Sequence, residues 1–126
     1  MPDASDKQAL GKLGERLACE ELTRRGYAIL ATRYRTRFGE IDIVSNDGDT
    51  IAFVEVKARQ SARYGSAAES VSRWKQRRVA AMALDYLART NQLEVRCRFD
   101  VVAIDGIGSD DMKITVYPDA FPAVGT

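Results

Sequence analysis

Residues 39–59 read GEIDIVSNDGDTIAFVEVKAR. Two strand-like runs flank Asn46-Asp47-Gly48-Asp49. An Asp-Gly pair accepts the positive φ angles of a type I′ turn, so the segment commits the chain to an antiparallel hairpin. With Asp47 and Gly48 as the loop, Asn46 faces Asp49, Asp42 faces Phe53 and Glu40 faces Glu55. Side chains alternate between the faces of a strand. This register therefore expects Glu40, Asp42, Phe53, Glu55 and Lys57 on one side, and Ile41, Ile43, Ala52, Val54 and Val56 on the other. The apolar side anchors the ribbon in a core. The charged side gathers ions that repel one another and lose hydration unless something neutralises them. Asp42 and Glu55 become diagonal neighbours, with Cβ atoms about 7 Å apart, and can converge on one divalent cation. Mg2+ (or Mn2+) suits such an all-oxygen donor set better than zinc.

The rest of the chain supplies layers for this hairpin. Residues 6–25 have helical spacing, with Leu10, Leu13, Leu17, Ala18 and Leu22 in one stripe and Gly26 as the C-cap. Glu15 falls at the edge of that stripe and Glu21 nearer its middle. Residues 27–35, 39–45 and 50–58 read as strands, 60–65 as a polar loop and 66–90 as a long helix. Val71, Trp74, Val79, Met82, Ala83, Tyr86 and Leu87 form that helix's buried face. Strands follow at 98–105 and 112–117, the last at an edge, and the tail 118–126 reads as loose. The order α-β-β-β-α-β-β specifies an α/β fold: a mixed five-stranded sheet with helices packed on it. At 126 residues and 45% apolar composition the chain supports one core and reads as a single domain, 1–126, with its core at about 6–117.

The sequence contains no histidine, which removes the Ser-His and Cys-His couples, the imidazole base and His-ligated zinc. Cys19 and Cys97 are far apart and too few for a structural zinc site, and both read as ordinary small side chains. Catalysis, if present, runs on carboxylates, lysine, tyrosine or a hard metal ion. Net charge is only +1, yet residues 22–38 hold five arginines and no acid, whereas after Phe99 Lys113 stands alone against five aspartates. Such segregation builds a basic surface suited to phosphate backbones. Arg35, Arg37, Arg59, Arg63, Lys75 and Arg78 are the candidate phosphate contacts. No apolar run is long enough for a membrane span, and the N-terminus lacks an apolar signal core, so the cytoplasm is the expected compartment.

Asp42, thirteen positions before the triplet Glu55-Val56-Lys57, resembles the acid and Glu-x-Lys pattern of the PD-(D/E)xK nuclease superfamily. Gly39-Glu40-Ile41-Asp42 together with Gly14-Glu15 is most similar to the branch containing archaeal Holliday-junction resolvases. Closer still is the bacterial YraN family, described as endonuclease-like and matched here by Gly26-Tyr27, GEIDIV, FVEVKAR, Val71 with Lys75, Tyr86-Leu87 and RFDVV. The resemblance implies a restriction-endonuclease-like three-layer core and metal-dependent cleavage of DNA, including branched or unusual structures. It places Glu15 beside Asp42 and Glu55 as metal ligands and Lys57 at the nucleophile. Symmetric cutting of both strands calls for two active sites, which a homodimer would supply. The alternative is a nucleic-acid-binding protein that keeps the fold without turnover.

Overall fold

The computed structural model describes residues 4–60 and 72–122. Arg63, Val71, all but Gln60 of the loop expected at 60–65, and positions 66–71 of the helix expected at 66–90 lie outside them. The elements run α1 (Ala4–Arg24), β1 (Ala28–Thr36), β2 (Gly39–Asp47), β3 (Thr50–Arg59), α2 (Arg73–Arg89), β4 (Cys97–Asp105) and β5 (Lys113–Phe121). The five strands form one sheet in the spatial order β1-β2-β3-β4-β5. All neighbours are antiparallel except β3 and β4, which are parallel and require the crossover that α2 provides. The mixed five-stranded sheet with two helices is the architecture expected from the sequence.

The two helices cover opposite faces. Leu22 and Ala18 of α1 are fully buried with Ile43, Ala52, Val54, Val102 and Ile104. On the other side Val79, Met82, Ala83, Tyr86 and Leu87 of α2 pack on Ile41, Val44, Phe53, Phe99 and Val101. β3 is buried on both faces, as its Ile51-Ala52-Phe53-Val54 run requires of a central strand. Gly14 lets α1 approach it closely: a Cβ there would lie 3.2 Å from the Cβ of Ala58. Glu21, in the middle of the helix stripe, is held by Arg24 at 2.6 Å and Arg25 at 2.7 Å.

Several expectations are corrected. The hairpin loop is Gly48-Asp49, not Asp47-Gly48: Asp47 pairs with Thr50 and Val44 with Phe53. Of these two loop residues only Gly48 has a positive φ, of 67°, the pattern of a type II′ turn. Ile41 and Ile43 do not share a face; Ile41 packs against α2 and Ile43 against α1. Trp74 is 66% exposed rather than core. Residues 118–121 are not a loose tail but the end of β5. There Phe121 is buried and its ring stacks on Phe99 at 5.2 Å between centroids.

Candidate metal centre and nucleic-acid surface

The β2–β3 ladder ends at the pair Ile43 and Val54. One residue further, the Asp42 side chain takes over from the backbone, its Oδ2 accepting the Val56 N–H at 2.8 Å. On its other side β2 continues along β1, with Thr32 paired to Ile43 and Tyr34 to Ile41. That leaves Arg33, at φ 50°, facing Asp42. A left-handed arginine opposite the aspartate is where β2 changes the face its side chains present, so Ile41 and Ile43 part company. Asp42 thus sits at the fork of two strands, bonded to the peptide between Glu55 and Lys57.

The sequence-predicted acids are divided around this fork. Glu15, Arg33, Glu40, Asp42, Val56 and Ala58 line an open cleft of about 710 Å³ on the α1 side. Glu55 is 9% exposed and forms an ion pair with Lys75 of α2. The expected common face is found only along β3: Phe53, Glu55 and Lys57 share the α2 side, where Lys57 meets Lys75, while Glu40 and Asp42 border the cleft. Asp42 and Glu55 still interact. Burial first, then the Glu55 charge and, more weakly, Glu15 together push the Asp42 carboxyl up to about 7, against the Val56 hydrogen bond and Lys75. A carboxyl held that far above its ordinary range is one whose ionised form lacks both water and a compensating positive charge. Burial lowers the pKa of Lys57, and the hydrogen bond and charge of Lys75 lower it further. Burial opposes the charge of Lys75, but Glu55 outweighs it and its pKa is raised.

Glu15 is held by Arg33, whose Nε and Nη2 both reach its Oε2, at 2.8 and 2.6 Å. The sequence placed Arg33 in a basic segment, 33–37, expected to face phosphates rather than Glu15, and no local signal marks a strand arginine for a positive φ. Among the described residues no three Asp, Glu or Cys side chains gather as a ready cage for a metal. Asp42 and Glu55 are hard oxygen donors, the ligand type that a small divalent ion keeping water in its shell would require.

The candidate phosphate contacts scatter. Arg35 pairs with Glu40 at 3.3 Å and Arg59 with Asp105 at 3.5 Å. Arg37 lies over the Phe38 ring, 4.9 Å from its centroid, and Arg78 over Trp74 at 4.6 Å. Lys75, expected on a phosphate, is engaged with Glu55.

A second polar cluster was not foreseen. Asp100, fully buried, accepts from Arg98 Nε at 3.0 Å, Tyr27 Oη at 3.3 Å and the Asp119 N–H at 2.9 Å. Arg98 also donates to Asp47 at 2.9 Å and Tyr27 at 2.7 Å. Burial and the Asp100 charge push the Tyr27 phenol up, keeping it a donor. The members satisfy one another, so the cluster ties β2, β4 and β5 to the exit of α1.

Residues 14–104 match the family described as Uncharacterised protein family UPF0102. A UPF0102 protein of Syntrophus aciditrophicus is 46% identical over 111 residues, covering 88% of this chain and 87% of the relative. One from Geobacter metallireducens is 46% identical over 114 residues, covering 90% and 93%. UPF0102 protein STH1475 of Symbiobacterium thermophilum is 43% identical over 114 residues, covering 90% and 97%. Among the described residues no helix is long and apolar enough to cross a membrane.

Proposed function

The chain belongs to the uncharacterised family UPF0102, the YraN family its motifs resemble, and from that premise we propose a divalent-cation-dependent nuclease that hydrolyses phosphodiester bonds in DNA. The observation that carries the reading is the Asp42 carboxyl at the strand fork, raised to about 7 by burial and by neighbouring acids. Asp42 and Glu55 would hold the ion. Glu15, clasped by Arg33, adds negative field to the same cleft. The chemistry such an ion supplies when bound is polarisation of the phosphodiester and acidification of a water. Lys57, two residues beyond Glu55, holds its proton less tightly than an ordinary lysine, which suits it to orient the attacking water. Lys75 must yield Glu55 for the site to load; until then it shields that carboxylate. Arg35, Arg37 and Arg78 offer charge for the backbone phosphates without reading bases.

The Lys75–Glu55 ion pair also favours a second reading, a nucleic-acid-binding protein without turnover, because the protein already provides Glu55 with a cation. One assay separates the two. Purified protein with Mg2+ or Mn2+ is offered duplex, flap and four-way DNA. Cleavage is expected, and Asp42→Asn and Glu55→Gln should each lower its rate by about two orders of magnitude or more. Cleavage that survives Asp42→Asn would remove this site from the reaction. Salt-sensitive binding that survives Glu55→Gln, with no cutting under any divalent ion, would establish the second reading.

A further inference from the structure

Two aromatic rings stand exposed, each with a guanidinium over one face. Trp74 is 66% exposed and Phe38 is 39% exposed. Arg78 lies 4.6 Å from the Trp74 ring centroid and Arg37 lies 4.9 Å from that of Phe38. The two pairs adjoin. The β1–β2 turn packs on α2, and a Cβ at Gly39, next to Phe38, would lie 3.9 Å from Arg78 Nε. Lys75, in the same first turn of α2 as Trp74, reaches Glu55, so one helix turn carries both the exposed ring and a contact to the proposed reaction centre.

An indole left in water forfeits the burial that large aromatic side chains usually obtain, and exposed apolar surface of this kind marks a binding site. Charge identifies the occupant. Arg73 and Arg77 are exposed on the same helix, and its first turn carries no acid. Flat rings interleaved with arginines match stacked bases joined by phosphates. In an intact duplex the base faces are hidden in the stack, so such rings find partners only on unpaired nucleotides.

We infer that Trp74, with Phe38 behind it, is a stacking platform for unpaired bases, and that the substrate is single-stranded nucleic acid or a junction exposing unpaired nucleotides. The inference rests on the nuclease reading and specifies its substrate class.

Trp74 is the sole tryptophan of the chain, so intrinsic fluorescence reports on it alone. The full chain carrying Asp42→Asn, without divalent ions, is titrated with oligothymidine and with a duplex of equal length. Oligothymidine is expected to quench the emission and to bind at least tenfold more tightly than the duplex. By anisotropy of a labelled strand, Trp74→Ala should weaken that binding about five- to a hundredfold, and Trp74→Phe should retain most of it. Equal quenching by duplex, binding of oligothymidine without quenching, or unchanged affinity in Trp74→Ala would overturn the inference. So would emission that depends on protein concentration alone, which would mean that a second copy covers the ring. Loss of cleavage in Asp42→Asn together with full cleavage in Trp74→Ala would overturn the platform and leave the nuclease reading standing.

Discussion

Asp42→Asn is expected to stabilise the metal-free protein by about 2–4 kcal/mol at pH 8 while abolishing its uptake of divalent ions, since each pKa unit corresponds to about 1.4 kcal/mol. The folded-state pKa of Asp42 is about 7, above its ordinary 3.8. Below about pH 4 both folded and unfolded chains carry a neutral carboxyl, and the substitution changes little. Between about 4 and 7 the unfolded chain releases its proton while the folded one retains it, so the stability of the native sequence falls as pH rises. Above 7 both are ionised and the whole cost of a buried, repelled carboxylate remains. Asparagine keeps an oxygen for the Val56 N–H, which donates to Asp42 at 2.8 Å, and carries no charge at any pH. Urea titrations of both proteins from pH 4 to 8 should therefore show a gap that opens through this window and then levels off. A gap that is absent, or that favours the native sequence at pH 8, contradicts the account of the fork.

Asp100→Ala should act in the opposite direction, costing about 3–5 kcal/mol because it leaves Arg98 partly buried without its main counter-charge. The carboxylate is fully buried and accepts from Arg98, Tyr27 and the Asp119 N–H. The last bond spans the irregularity between Phe99 and Val101 and holds Asp119 at φ 54°, so its loss should also free the end of β5. Denaturant midpoints measure the global effect, and hydrogen exchange at Asp119 and Phe121 the local one. A change below about 1 kcal/mol would show the cluster to be incidental. The same cluster bears on the hairpin, because Arg98 binds Asp47 and so keeps that residue in the ladder.

That bond is one reason the hairpin register was only half legible. The Asp-Gly signal at 47–48 identifies the hairpin correctly, but turn chemistry alone cannot weigh an arginine from β4 that draws Asp47 out of the loop. The ladder moves by two positions relative to the expected pairing. An even shift preserves faces, so the alternation read along β3 holds and Glu55 remains opposite in direction to Val54 and Val56. The alternation read along β2 fails at Asp42, where a positive φ at Arg33 on the neighbouring strand is invisible to periodicity. Trp74 was misread because its apolar ring was grouped with the buried stripe of Val79, Met82, Ala83, Tyr86 and Leu87, whereas at about 100° per residue it points away from the middle of that stripe. Residues 118–121 contain Pro118 and look like a tail, yet Phe121 finds Phe99 in a neighbouring strand, a long-range contact that no local pattern announces. Glu15 was placed by its angle on the helix, and its carboxylate does border the cleft; the Arg33 clasp on it was not foreseeable.

Calorimetric titration of the metal-free protein with Mn2+ at pH 8 bears most directly on the central claim that the acids at the strand fork hold a divalent cation. One ion per chain should bind, and both Asp42→Asn and Glu55→Gln should lose it, while Asp100→Asn, remote in role from the fork, should bind as before. Absence of any saturable uptake, or uptake that persists undiminished in Asp42→Asn, would contradict the claim.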